Sequence, residues 1–190
     1  MTTTAEPNLA LLREALPVTG LLVSGVQPDQ WNAPTPCEEM TVLEIVEHLT
    51  GGLEQFAGVA VGEELDPTVE PSFSGSDPPT EFDAAARTML AAWSAPGATD
   101  KTYPMPWGET RGAMLLGFMV IEEVTHGWDI ARATGQTPAY DDDLVEAALE
   151  IARNYDDVTI RVPGMFGPAV TVPDDAPVID RLAGFLGRRP

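Results

Sequence analysis

The stretch AMLLGFMVIEEVTHGWDIARATG, residues 113–135, decides the fold. Its first nine residues carry no charge and are apolar nearly all round a helix, which is typical of a helix at the centre of a bundle. Gly135 follows the last helical residues, where glycine commonly ends a helix. We therefore predict a central buried helix over residues 111–133.

Two amphipathic segments precede this helix. Apolar residues recur at helical spacing over residues 8–26, where Pro17 is expected to kink the helix or to begin a new segment. A second apolar stripe covers residues 41–59, and Thr41 with Glu44 has the spacing of a capping box. These segments predict the first and second helices of a bundle.

Proline, glycine and acidic residues mark the boundaries of the remaining predicted helices and loops. Residues 62–79 are rich in proline and predict a long surface loop, after which Thr80 with Asp83 is expected to open a third helix. Acidic residues at the start of 141–155 favour a further helix. A short extended piece around Tyr103, an irregular or hairpin segment after residue 158 and a terminal helix at 177–187 complete the prediction. The fold class predicted is all-α: a four-helix bundle with a small C-terminal extension, in one domain over residues 1–190.

The amino-acid composition limits the kinds of molecule that the protein is expected to bind. The chain has 190 residues, is 44% hydrophobic and has a formal net charge of −20, which would repel nucleic acids and anionic lipids. No basic region followed by an apolar run begins the sequence, and no segment approaches the roughly 20 apolar residues of a membrane helix. The single Cys37 excludes an intrachain disulfide. We expect a soluble cytoplasmic protein that binds neither nucleic acid nor membrane.

The central helix carries ionisable residues with the spacing of metal ligands. Glu122 and His126 are four residues apart and share one helix face, which Asp129 extends by a further turn. The only other histidine, His48, falls about 120° from the centre of the second helix's apolar stripe, at the rim of the core. Two imidazoles and one carboxylate can hold a metal ion at three points and leave one position open, as in catalytic zinc or non-haem iron sites.

Other interpretations of these residues stay open at this point. His126 could simply pair with Glu122 while His48 is an ordinary surface histidine. Glu123 is a rival ligand, less attractive because it lies on a different side of the helix from Asp129. Cys37 precedes the second helix, whose dipole could lower the pKa of the thiol, but it is also the kind of small residue that packs against a core.

Three segments of the chain resemble a known family. WNAPTPCEEMTVLEIVEHLTGG (31–52), EEVTHGWDIARATGQ (122–136) and FGPAVTVPDDAPVIDRLAGFLGR (166–188) resemble the DinB/YfiT-like metal-binding proteins of actinobacteria. The nearer branch is related to the metal-binding N-terminal domain of mycothiol-dependent maleylpyruvate isomerase. The resemblance implies a DinB-like four-helix bundle with His48, Glu122 and His126 as the ligands of a divalent metal ion.

The resemblance also implies a chemistry. A divalent ion, expected to be Zn²⁺ with Ni²⁺ or Fe²⁺ as alternatives, would lower the pKa of a bound thiol. The predicted activity is transfer of a small thiol, mycothiol or bacillithiol, to a small electrophile. A homodimer is a possible assembly. Asp129, Arg111 and Trp107 are candidates for contacts to substrate or to the metal ligands. A metal-binding or stress-associated module without catalysis, and a hydrolase that uses metal-bound water, are the alternatives.

Two departures from the family pattern limit what the resemblance implies. Met40 stands where the family's motif often has tryptophan. The isomerase has a further C-terminal domain that contributes to catalysis, and this chain ends without one. We therefore do not expect maleylpyruvate isomerisation.

Overall fold

The computed structural model describes residues 6–66, 68, 73, 77–155, 160–161 and 165–190. The helices in this part of the chain are α1 (Pro7–Ser24), α2 (Val42–Val61), α3 (Pro78–Trp93), α4 (Gly112–Thr134), α5 (Asp142–Asn154) and α6 (Val178–Phe185). Two short antiparallel strands, β1 (Thr102–Met105) and β2 (Gly108–Arg111), form a hairpin between α3 and α4. The predicted extended piece around Tyr103 is confirmed as β1.

The four long helices form the bundle, and α4 lies at its centre. It packs against α1, α2 and α5, while α3 packs against α1 and α2. Every residue of α4 from Ile121 to Ala131 is buried, so the helix is covered on all sides. The prediction of a central buried helix is confirmed, and the buried stretch includes all of its acidic residues and its histidine.

The starts of the helices follow local capping chemistry. In α2 the hydroxyl of Thr41 accepts a hydrogen bond from the backbone N–H of Glu44, whose carboxylate accepts one from the backbone N–H of Thr41, as predicted. The predicted start of α3 is wrong by two residues. Asp77 caps that helix by accepting from the N–H of Thr80, and Pro78 occupies the first turn, where its missing N–H costs nothing.

Pro17 does not begin a new segment, because α1 continues through it from Pro7 to Ser24. A proline inside a helix costs about 3 kcal/mol. Burial of apolar side chains on both sides of it, among them Leu12, Leu16 and Leu22, offsets this cost because each contributes about 1.5–3 kcal/mol. The predicted first helix therefore stands, with its end two residues earlier than expected.

The C-terminal segment folds back onto the central helix. Helix α6 packs against α5 and α4, and the indole N–H of Trp128 on α4 donates to the carboxylate of Asp180 at 3.0 Å. Residues 165–177 contain no strand, so the hairpin alternative fails there. Residues 159 and 162–164 of that predicted segment, and residues 67, 69–72 and 74–76 of the predicted loop at 62–79, lie outside the described residues. None of the described helices is both long enough and apolar enough to cross a membrane.

Candidate metal centre

Helices α2 and α4 bring His48, Glu122 and His126 together. The Nε2 atom of His48 lies 2.8 Å from Oε2 of Glu122, and Nε2 of His126 lies 3.5 Å from the same oxygen. The two imidazole rings meet edge to face, with their centroids 5.2 Å apart. One ligand atom from each residue lies within 4.8 Å of the other two. We call these three residues the primary ligand set.

The distances within the primary ligand set fit a single metal ion. Metal–ligand bonds of about 2.1 Å at tetrahedral angles would place neighbouring ligand atoms about 3.4 Å apart. The separations of 2.8 and 3.5 Å around Glu122 differ from this spacing by about 0.6 and 0.1 Å, which small side-chain shifts can supply. The donor set of two imidazole nitrogens and one carboxylate oxygen suits Zn²⁺, Fe²⁺ or Ni²⁺.

The primary ligand set lies at the edge of the core, as the helical spacing of His48 predicts. The side chain of His48 is 41% exposed, whereas those of Glu122 and His126 are 10% and 5% exposed. The half-exposed histidine leaves one side of the cluster open to solvent. The other two residues are enclosed by the bundle, which holds their side chains in place.

In the absence of a metal ion, bound protons balance the negative charge of the carboxylates in the cluster. Burial opposes protonation of His126, but the carboxylates of Asp129 and Glu122 outweigh it and raise the pKa of the imidazole to about 9. Burial likewise opposes ionisation of Glu122, but His126 and His48 outweigh it and hold the pKa of that carboxyl far below its usual range. A metal ion would therefore displace a proton, as metal ions generally do at histidine ligands.

Asp129 fixes the orientation of the His126 ring. Its Oδ2 atom lies 3.0 Å from Nδ1 of His126, so Nδ1 donates to Asp129 and Nε2 faces Glu122. In the metal-free protein Nε2 carries the proton that a metal ion would displace. Carboxylates that hold metal-ligating histidines in this way are common in metal sites. Asp129 is fully buried, and Arg188 balances its charge through a hydrogen bond of 2.9 Å from Nη2 to Oδ2.

Glu123 does not belong to the cluster. It is fully buried, its backbone carbonyl accepts hydrogen bonds from Thr19 and Tyr140, and neither carboxylate oxygen has a hydrogen-bond partner. Burial raises the pKa of Glu123 to about 8, an effect that the nearby His126 opposes and the Glu122 carboxylate reinforces. The carboxyl is therefore protonated at neutral pH and faces a different side of α4 from the primary ligand set.

Cys37 lies close to the buried side of the cluster. Its sulfur, a ring nitrogen of His126 and a carboxylate oxygen of Asp129 all lie within 4.8 Å of one another. We call Cys37, His126 and Asp129 the secondary ligand set. Burial raises the pKa of the thiol, and Arg188 only partly offsets this effect, which contradicts the alternative of a thiol activated by the dipole of α2.

A cavity of about 620 Å³ adjoins the secondary ligand set. Its wall is formed by residues 35–39, which precede α2, and by parts of the C-terminal segment, including Arg161, Phe166 and Arg188. The volume lies within the range of about 300–1,000 Å³ that is usual for small-molecule sites. Cys37 and Arg188 belong both to the cavity wall and to the surroundings of His126, so the cavity and the candidate metal centre are neighbours.

The structure does not bring Arg111 and Trp107 to this place. Trp107 lies on the hairpin and is 62% exposed, and Arg111 lies at the cap of α4. Glu122 lies eleven positions after Arg111, which is about 16 Å along a helix axis. Of the three candidates for supporting contacts, the fold therefore places only Asp129 beside the ligands.

Sequence reasoning missed Arg188. The residue lies 59 positions after Asp129, and a single arginine near the end of a chain carries no local sign of its partner. Gly187 directly before it was the available signal, because its φ of 90° requires glycine and turns the chain back toward the bundle.

The architecture around this centre is a DinB-like four-helix bundle with a small C-terminal extension. It is similar to two crystal structures of mycothiol-dependent maleylpyruvate isomerase, the first of them a histidine-to-alanine mutant, with TM-scores of 0.62 and 0.59. Both are 16% identical to this chain, and the matches cover 88% and 84% of this chain and 74% and 71% of those chains. This likeness establishes the fold.

Sequence comparison establishes the family. The family described as mycothiol maleylpyruvate isomerase N-terminal domain matches residues 12–131. Two proteins of Mycobacterium tuberculosis, uncharacterized protein Rv0738 of strain ATCC 25618 / H37Rv and uncharacterized protein MT0763 of strain CDC 1551 / Oshkosh, are each 35% identical over 168 residues. Each match covers 88% of this chain and 90% of the relative. The chain belongs to the mycothiol maleylpyruvate isomerase N-terminal domain family.

Proposed function

We propose that this protein binds one divalent metal ion through His48, Glu122 and His126 and transfers a small thiol of the mycothiol type to a small electrophile. The observation that carries the proposal is the convergence of three ligand atoms within 4.8 Å at the rim of the bundle. The family match supports a thiol of this type, because the matching domain is named for a mycothiol-linked enzyme. Zn²⁺ suits the donor set best, and Ni²⁺ and Fe²⁺ are alternatives.

The open position of the centre supports a catalytic role over a purely structural one. Structural zinc sites use four protein ligands, whereas catalytic sites use three and keep one position for water or substrate. When bound, a divalent ion lowers the pKa of a thiol at the open position and so supplies a nucleophile at neutral pH. The 41% exposure of His48 leaves a route by which a small molecule can reach this position.

The surrounding residues would hold the reactive groups in place. Asp129 keeps the Nδ1 proton of His126, so that Nε2 remains available as a ligand. The neighbouring cavity of about 620 Å³ offers room for the body of a thiol or of an electrophile. The ligands themselves lie on helices rather than on loops.

The first experiment measures metal binding. We expect about one Zn²⁺ per chain after reconstitution, and a loss of affinity of more than about 100-fold in His48→Ala and Glu122→Gln, since even partners outside the ligand set contribute 10–100-fold. Glu123→Gln is the matched control, because it replaces the adjacent buried carboxyl, which does not belong to the cluster. Retained zinc affinity in Glu122→Gln together with lost affinity in Glu123→Gln would refute the ligand assignment.

The second experiment measures thiol transfer. Purified, metal-loaded protein is mixed with mycothiol and a haloalkyl electrophile, and consumption of the thiol is followed with and without a chelator. We expect turnover that depends on the metal and disappears in His48→Ala. Hydrolysis of an ester without any thiol would instead identify a metal-dependent hydrolase. Metal binding without either reaction over a broad panel of electrophiles and esters would favour a non-catalytic module.

A further inference from the structure

The primary and secondary ligand sets overlap at His126. Each contributes three ligand atoms that lie within 4.8 Å of one another, so on distance alone either set could take a metal ion. The secondary ligand set would add a thiolate, the ligand that binds Zn²⁺ and other soft divalent ions most strongly. Something in the fold must therefore determine which set is used.

Arg188 occupies the cation position of the secondary ligand set. Its Nη2 and Nε atoms donate to Oδ2 of Asp129 at 2.9 and 3.3 Å, and Nε also lies 3.4 Å from Oδ1. Arg188 is 6% exposed and Asp129 is fully buried, so the pair is shielded from solvent. A divalent ion at Asp129 would have to approach this guanidinium in a poorly screened environment, where like charges repel strongly.

The backbone holds Arg188 in this position. Helix α6 ends in a Schellman motif, in which the N–H of Gly187 donates to the carbonyl of Gly184 and the N–H of Arg188 donates to that of Ala183. Nη1 of Arg188 also donates to the carbonyl of Leu186 at 3.0 Å. The side chain thus donates to three acceptor atoms, two on Asp129 and one on Leu186, and leaving Asp129 would leave a buried carboxylate unpaired.

We propose that Arg188 selects between the two ligand sets, keeping Asp129 bound to His126 and the metal ion on the primary ligand set. Arg188 is thus a positioning residue that acts through Asp129. Without it, Asp129 and Cys37 become available, and metal moves to the secondary ligand set or a second ion binds there. This inference rests on the proposed metal centre.

Cobalt provides the test, because Co²⁺ bound to a cysteine thiolate shows a charge-transfer band in the near ultraviolet. We expect the wild-type protein to bind about one Co²⁺ without this band. Arg188→Gln should show the band, and the Cys37→Ser/Arg188→Gln double variant should lose it again. Arg188→Lys keeps the positive charge and should remain without the band. Arg189→Gln, an exposed neighbour on the same cavity wall, is the matched control and should match the wild type.

Three outcomes separate this inference from the metal centre on which it rests. A thiolate band in wild-type protein that Cys37→Ser abolishes would overturn the inference and leave metal binding intact. One Co²⁺ bound by folded Arg188→Gln without the band would overturn it as well. Absence of Co²⁺ binding in the wild type would instead refute the proposed function.

A measurement on the wild-type protein alone covers the case in which Arg188→Gln does not fold. The rate at which iodoacetamide alkylates Cys37 is compared between metal-free and Co²⁺-loaded protein. If Cys37 stays outside the coordination shell, the two rates should agree within about twofold. Protection of more than about tenfold by the metal would show that Cys37 is a ligand and would overturn the inference.

Discussion

Replacing Glu123 by glutamine should stabilise the metal-free protein, and the gain should grow with pH. Glu123 is fully buried, its carboxylate oxygens have no hydrogen-bond partner, and its pKa is raised to about 8. The carboxyl stays protonated in the folded chain while it ionises in the unfolded chain above about pH 4.5. Because the unfolded state then binds fewer protons than the folded state, ionisation favours unfolding as pH rises.

The size of the effect follows from the two pKa values. With a folded pKa of about 8 and an unfolded pKa of 4.5, ionisation lowers the free energy of unfolding by about 1 kcal/mol at pH 5 and about 4 kcal/mol at pH 8. The Glu123→Gln variant does not ionise and escapes this loss. At roughly 2–4 °C per kcal/mol for a chain of this size, the gain in Tm is about 3 °C at pH 5 and about 10 °C at pH 8.

Thermal unfolding followed by circular dichroism in the presence of a chelator measures both values. Glu54→Gln is the control, because Glu54 is an exposed glutamate on α2 and its replacement should change Tm by less than about 2 °C at either pH. A gain for Glu123→Gln that is equal at pH 5 and pH 8, or a loss at pH 8, would show that Glu123 is ionised or well solvated in the folded protein. The physical account of its burial would then be wrong.

Three further predictions concern the helices and the cluster. Thr41→Ala removes the capping box of α2 and should cost about 1 kcal/mol, seen as a fall in Tm of about 2–4 °C. Gly127→Ala should destabilise the fold by about 1–3 kcal/mol in urea unfolding, because a Cβ there would collide with the hydroxyl of Tyr140; an unchanged midpoint would contradict this packing. Glu122→Gln and His126→Ala should each lower zinc affinity, and their losses should be strongly non-additive in the double variant, because either change alone breaks the same site. A competition titration that finds additive losses would argue against a shared ion.

The sequence predicts the bundle well because its helices depend on local patterns. The apolar stripe of α2, its capping box and the uncharged start of α4 are properties of neighbouring residues, and the structure reproduces each of them. The start of α3 was misplaced because Thr80 and Asp77 both offer capping side chains, and the choice depends on Pro78 in the first turn. Local competition of this kind shifts a boundary by a few residues and leaves the fold unchanged.

In the candidate site, too, some features follow from local sequence and others only from tertiary contacts. Helical spacing alone places Glu122 and His126 on one face, Glu123 on another and His48 at the rim of the core, and the resemblance implies that the first two and His48 share one metal ion. Which of the buried carboxyls is ionised is decided by tertiary contacts. Glu122 meets the imidazole of His48 across the interface of α2 and α4 and that of His126 on its own helix, whereas the carboxyl oxygens of Glu123 have no hydrogen-bond partner and the group is protonated.

The contact between Asp129 and Arg188 exists only in the folded chain. Nothing in the 58 residues between them encodes it locally, because it depends on how α6 docks against α4 through Trp128 and Asp180. The same holds for Arg111 and Trp107, whose distance from the ligands follows from the length of α4 and the position of the hairpin. The sequence by itself determined the helices and the ligand spacing, whose causes are short-range. Only the tertiary structure decided which charges meet, because the electrostatics of buried groups depend on neighbours that packing brings from distant parts of the chain.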